Sequence, residues 1–125
     1  MKVNKIVLVE DDKIFSKILF EELTDLGFEV FRAYDGKEGV EMIKRELPDL
    51  VLLDLLLPKK DGFSVLEDIM AGEDTRSIPV VVLTNMNNIN NVAEAMELGA
   101  RAYFVKSDQD IDGLVEIMHN EIKTL

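Results

Sequence analysis

Leu50-Val51-Leu52-Leu53-Asp54-Leu55-Leu56-Leu57-Pro58 is the stretch on which the fold turns. Its first four residues are an unbroken aliphatic run of strand length, which reads as a strand covered on both faces, because a strand with one wet face would alternate with polar residues. Asp54 then closes the run in the most apolar surroundings of the chain. A lone carboxylate in such a place costs on the order of several kcal/mol unless it is neutralised, paired or metal-bound. Asp54 therefore calls for a partner.

Outward from it lie three similar runs, Ile6-Val7-Leu8-Val9, Val80-Val81-Val82-Leu83 and Ala102-Tyr103-Phe104-Val105. A weaker one, Glu29-Val30-Phe31-Arg32-Ala33, has charged flanks that suit a sheet edge. Helical periodicity fills the gaps. The first helix places Phe15, Ile18, Leu19, Leu23 and Leu26 on one face and ends at Gly27 in a left-handed cap. The second runs from about 36 to 46, turns Val40 and Ile43 inward and stops before Pro48. The third follows Asp61-Gly62 and carries Phe63, Leu66, Ile69 and Met70. The fourth runs from about 88 to 98, burying Val92, Ala95, Met96 and Leu98, and closes on Gly99. The last takes Asp108 as its N-cap and sets Ile111, Leu114, Val115, Met118 and Ile122 along a stripe. Five βα units in alternation predict one α/β domain over residues 1–125, a doubly wound parallel sheet with helices on both faces and right-handed crossovers. Ligands of such sheets bind at the carboxyl ends of the strands.

Composition narrows the chemistry. In 125 residues there are 25 acids against 14 lysines and arginines, a formal net charge of −11, so phosphate backbones are repelled and no nucleic acid is expected as a direct partner. With 47% hydrophobic and 31% charged residues the chain has enough apolar surface to fold rather than form an acidic tail. Lacking cysteine, it has no disulfide, thiolate site or cysteine nucleophile, and His119 as the single histidine argues against zinc. The start, Met1 to Lys5 leading into a short run bounded by Glu10-Asp11-Asp12, is neither a signal peptide nor a membrane span, which points to a cytoplasmic protein away from membranes.

What stands at the strand ends is Glu10-Asp11-Asp12 after the first, Asp54 after the third, Thr84 after the fourth and Lys106 after the fifth. If the first, third, fourth and fifth strands are neighbours, these groups converge. Carboxylates outnumbering one ammonium require either a raised pKa or a bound cation. An all-oxygen site suits magnesium, manganese or calcium. Such a cation with a lysine and a hydroxyl is also equipment for phosphoryl transfer, with Asp54 placed as the nucleophile.

The series Glu10-Asp11, Asp54-Leu55-Leu56-Leu57-Pro58 with Asp61-Gly62, Thr84, Tyr103 and Lys106 closely resembles the receiver domain of two-component response regulators, over essentially the whole chain. The resemblance implies a flavodoxin-like sheet ordered 2-1-3-4-5 with five helices. It implies that Asp54 accepts a phosphoryl group from a sensor histidine kinase, a phosphotransfer protein or a small phosphodonor. Asp11, Asp54 and the backbone carbonyl of Leu56 would hold Mg2+, with Glu10 acting mainly through bound water. Lys106 would pair with the phosphoryl oxygens. Thr84 would hydrogen-bond the phosphoryl group while Tyr103 rotates into the vacated space, so that the face of the fourth helix, fifth strand and fifth helix switches for a downstream protein target. On this reading the protein is a signalling module rather than an enzyme, promoting only its own phosphorylation and dephosphorylation, as a monomer or weak dimer. Nothing resembling an output domain follows the fifth helix, which suggests a stand-alone receiver or a piece of a longer protein.

Three departures from the pattern stand out. Receivers usually carry a proline with a cis bond after the lysine, whereas Lys106 is followed by Ser107, for which a trans bond is expected because a non-proline cis bond costs about 2.5–4 kcal/mol. Asn85 after Thr84 is larger than the usual small residue and is expected to crowd the site. The positions that tune dephosphorylation are Leu56 and Met86, and neither can orient an attacking water, which predicts a long-lived phosphorylated state.

Competing readings fare worse. A magnesium-dependent aspartyl phosphatase needs a second acid where Leu56 stands, and a flavin module needs a hydroxyl- and glycine-rich loop where Glu10-Asp11-Asp12-Lys13 stands. The main alternative is a pseudo-receiver that binds partners without phosphorylation, favoured only by Asn85 and the Lys106-Ser107 loop. Among single residues, Asp12 reads as a helix cap, Tyr103 equally as core aromatic or moving switch, His119 as an exposed bystander, and Asn85, Asn87, Asn88, Asn90 and Asn91 as a polar loop and helix start.

Overall fold

The computed structural model describes residues 3–85, 90–108 and 110–123. Within them the chain runs β1 (Lys5–Val9), α1 (Lys13–Asp25), β2 (Glu29–Ala33), α2 (Gly36–Glu46), β3 (Leu50–Asp54), α3 (Gly62–Ala71), β4 (Val80–Thr84), α4 (Asn91–Glu97), β5 (Ala102–Val105), a 3-10 turn (Lys106–Asp108) and α5 (Ile111–Lys123). All strand pairs are parallel and the sheet order is β2-β1-β3-β4-β5, a doubly wound, flavodoxin-like arrangement. The strand runs read from the sequence match within one residue at each end, and β2 lies at an edge as its charged flanks suggest.

Alternation along the strands divides the core in two. Val7, Val9, Val51, Leu53, Val80 and Val82 meet Val40 and Ile43 of α2, Val65, Leu66 and Ile69 of α3 and Ala95 of α4. Ile6, Leu8, Leu50, Leu52, Val81, Leu83 and Phe104 meet Leu19 and Leu23 of α1 and Leu114 and Met118 of α5. Every residue of β3 and β4 is buried, which explains their near-continuous aliphatic sequence.

Helix starts are fixed by aspartates. Asp12 accepts the N–H groups of Ile14 and Phe15 at 3.0 and 3.1 Å, Asp35 that of Glu38 at 2.7 Å, and Asp61 that of Ser64 at 2.9 Å. Gly27 and Gly99 take the left-handed φ values of +98° and +118° at the ends of α1 and α4.

Several expectations need correction. Ile18, Leu26 and Met96 are exposed rather than core, at 48%, 57% and 39%, because the inward stripes of α1 and α4 are narrower than the apolar pattern suggests. On α1 the buried line is Ser16, Leu19 and Leu23, with the Ser16 hydroxyl taking a hydrogen bond from Arg32 Nε at 3.0 Å. Val65 of α3 is buried although the sequence reading passed over it. The cap of α5 is Asp110, which accepts the N–H of Gly113 at 3.1 Å, since the 3-10 turn after β5 consumes Asp108 and delays the helix. Asn90 precedes α4 without a side-chain capping bond. Met86, Asn87 and Asn88 lie outside the described residues.

Candidate functional site

Glu10 directly follows β1, Asp54 ends β3, and Lys106 directly follows β5. The sheet order carries β4 between the last two, and the long lysine side chain bridges that gap. Lys106 Nζ donates to Asp54 Oδ2 at 3.1 Å and lies 2.5 Å from Glu10 Oε1. The latter contact is an ion pair without hydrogen-bond alignment, so Oε1 is a buried acceptor lacking a hydrogen bond, while Oε2 accepts the N–H of Asp12 at 3.0 Å. Asp54 Oδ1 accepts the N–H of Leu56 at 3.1 Å. Glu10 is fully buried and Asp54 nearly so, whereas Asp11 is exposed at the rim.

These groups open on a cleft of about 420 Å³ whose wall includes Asp11, Leu56, Asn85 and Ser107. One carboxylate oxygen from each of Glu10, Asp11 and Asp54 can be chosen so that all lie within 4.8 Å of one another, close enough to hold a metal ion. The donor set is entirely oxygen, as a hard divalent cation requires. A bound cation would give the buried Glu10 carboxylate a second electrostatic partner beside Lys106.

The charges are unbalanced. Burial, reinforced by the charge of Asp54, pushes Glu10 up to about 8, although Lys106 and the Asp12 N–H pull the other way. Burial alone would lower Lys106, but the carboxylates of Glu10 and Asp54 more than offset it and raise its pKa. We take the ammonium as permanently charged and the carboxylate pair as the member that gives way, because two buried acids face one cation. Either Glu10 keeps its proton or a further cation enters.

Thr84 and Tyr103 are not in this group. The alternation that points Glu10 and Asp54 to the side of α1 and α5 points Thr84 and Tyr103, on the neighbouring strands β4 and β5, to the side of α4. The buried Thr84 hydroxyl donates to the carbonyl of Asn85 at 3.1 Å. Tyr103 is 45% exposed, so its reading as a plain core aromatic is wrong: β5 is an edge strand, and the short α4 leaves the ring uncovered. His119 is exposed, in ring contact with Phe28 and away from the cleft, as expected.

The loop between β3 and α3 is held from two sides. Gly62 sits so close that a Cβ there would lie 2.5 Å from the Asp54 carbonyl oxygen, and its N–H donates to the Leu55 carbonyl at 2.9 Å. Gly36, at the start of α2, faces the Lys60 carbonyl with no room for a side chain. No cis peptide occurs among the described residues, so Lys106–Ser107 is trans as expected. The sequence reading missed Phe15 as a site residue: its ring lines the cleft, with its centroid 5.3 Å from Lys106 Nζ. Its place four residues after Asp11, in the first turn of the helix that leaves the acidic loop, was the available signal.

A model of the response regulator receiver domain matches residues 6–118, and the chain belongs to that family. Among curated relatives, the probable transcriptional regulator ycf27 of Porphyridium aerugineum is 36% identical over 106 residues, covering 85% of this chain and 43% of its own length. The DNA-binding dual master transcriptional regulator RpaA of Synechocystis is 35% identical over 102 residues, covering 82% and 42%. The chain thus spans about two fifths of the relatives it matches, and they lend no support to the expectation that nucleic acid is absent from the partners. Among solved structures, a Chloroflexus aurantiacus protein assigned as a response regulator superposes with a TM-score of 0.92 at 30% identity, covering 98% and 99% of the two chains. The receiver domain of a Pseudomonas aeruginosa sensor histidine kinase, solved with magnesium in its active-site cleft, gives 0.89 at 28% identity over 98% and 99%. Receivers are signalling domains rather than enzymes in the ordinary sense. Among the described residues no helix is long and apolar enough to cross a membrane.

Proposed function

We propose that this receiver is a cytoplasmic phosphoacceptor that takes a phosphoryl group on Asp54 and passes the event to a protein partner. The observation that carries the reading is the junction of Asp54 with Lys106 at 3.1 Å inside a cluster of three carboxylates at the strand ends. Asp11 and Asp54, with the Leu56 carbonyl, would hold Mg2+, and Glu10 would act through water; bound there, the ion neutralises charge on the phosphoryl oxygens. The magnesium in the Pseudomonas receiver supports this assignment.

A carboxylate oxygen of Asp54 attacks phosphorus while the P–N bond of a kinase phosphohistidine, or the P–O bond of acetyl phosphate, breaks and the leaving group departs with the electron pair. Lys106 gives up its bond to Asp54 and pairs with a phosphoryl oxygen. Thr84 exchanges the Asn85 carbonyl for a phosphoryl oxygen, and Tyr103 moves inward on the face it shares with Thr84. The partner reads the surface of α4, β5 and α5. Self-catalysed gain and loss of the phosphoryl group is the only reaction assigned.

Intact mass after incubation with Mg2+ and acetyl phosphate tests the proposal, with Asp54→Asn and a magnesium-free sample as controls. A single phosphoryl adduct dependent on both is expected, and it should persist, since the Leu56 side chain at the cleft has no group to orient water. No adduct on folded protein would overturn the reading in favour of partner binding without phosphorylation.

A further inference from the structure

Lys106 has two kinds of neighbour in the cleft. Its carboxylate partners, Glu10 and Asp54, belong to the same three-acid cluster that a divalent cation would draw on. The face of Phe15 does not. The ring centroid lies 5.3 Å from Nζ, within the range of a cation–π contact, and the lysine side chain is only 11% exposed, so the contact is largely desolvated. Phe15 is itself half-buried and stands between two openings, the acidic cleft and a smaller pocket that it shares with Ile18, Ile111 and the side of Lys106. The lysine is followed by Ser107 in a trans linkage, so no rigid ring fixes the backbone behind it. A lysine side chain carries about 2 kcal/mol of rotamer entropy, and something must hold its charge on course once the carboxylates are otherwise engaged.

From this geometry we infer that Phe15 is a positioning residue for phosphoryl transfer, its ring face holding the Lys106 ammonium over Asp54 when a cation and the incoming phosphoryl group compete for the carboxylates. The inference rests on the phosphoacceptor reading. It separates two quantities that Asp54 variants would change together: the binding of the cation, in which Phe15 has no part, and the rate of phosphoryl uptake, in which it acts through Lys106.

The test compares wild type, Phe15→Leu and Phe15→Tyr, the first removing the π face with little change in apolar volume and the second restoring it. Uptake from acetyl phosphate is followed by intact mass, Mg2+ affinity by calorimetry, and folding by thermal unfolding. The Lys106 ε-methylene protons, which a ring at 5.3 Å from Nζ should shift in wild type, are followed by two-dimensional NMR. Phe15→Leu should take up phosphoryl about tenfold more slowly with Mg2+ affinity unchanged and the ring-current shift gone. Phe15→Tyr should recover most of the rate and the shift. Equal rates in wild type and Phe15→Leu would overturn the inference while leaving the phosphoacceptor reading intact. So would a Phe15→Tyr protein as slow as Phe15→Leu, which would mean packing rather than the π face. No adduct on wild type would overturn both.

Discussion

Asp54 and Lys106 show how much one residue can depend on its neighbour. Asp54 is buried and the Lys106 side chain only 11% exposed, so each charge leans on the other for compensation. Removing the ammonium should have opposite effects on the two functions of the site. In Lys106→Ala, phosphoryl uptake from acetyl phosphate should fall at least about a hundredfold, the loss usual when a single group that stabilises transition-state charge is deleted. Mg2+ should bind at least as tightly as in wild type, because a competing cation has gone. Side-by-side calorimetry and mass spectrometry measure both. A variant that loses magnesium along with uptake would show that Lys106 shapes the metal site rather than serving the phosphoryl group.

At the level of elements, the loop from β3 to α3 is clamped between its own helix start and the start of α2. Gly36 and the Lys60 carbonyl touch where no side chain fits, the Gly36 N–H reaches the Pro58 carbonyl at 3.4 Å, and Lys59 pairs with Asp35 at 3.7 Å. Gly36→Ala must push that loop away. We expect a loss of roughly 1–3 kcal/mol in urea unfolding and weaker Mg2+ binding, since the displaced loop carries Leu56; unchanged affinity would mean that the clamp does not set the site. The sequence made the strands legible because burial on both faces leaves an unbroken aliphatic signature. It made the acids and the lysine legible because charge at the end of such a run demands a partner. Helix faces were overread at Ile18, Leu26 and Met96, since an apolar side chain on a helix need not face the core. The start of α5 was misplaced because nothing at Lys106–Asp108 announces a 3-10 turn. Phe15 escaped notice because an aromatic in a helical stripe reads as core, and the orientation of Thr84 depends on strand parity at a loop, which single residues do not encode.

For the whole molecule, the charge imbalance at the strand ends couples stability to pH. Glu10 is raised from 4.5 to about 8, so between those values the unfolded chain has released a proton that the folded one keeps. Without metal, stability should be highest below pH 4.5 as far as this group is concerned, decline as pH rises and level off above about 8. Urea unfolding in chelator from pH 5 to 8 should show this decline in wild type and a shallower one in Glu10→Gln, whereas identical slopes would refute the assignment. The sheet itself acts as a partition, with the acids and Lys106 on the side of α1 and α5 and Thr84 and Tyr103 on the side of α4. A signal from the cleft to α4 would have to cross that wall, whereas α5 lies on the cleft's own side. This gives the molecule a convenient property for optical work: because the chain has no cysteine, one introduced at the exposed Met96 of α4 would be a unique attachment point for a dye. Such a dye would report on chemistry occurring on the opposite side of the sheet while touching none of the groups that perform it.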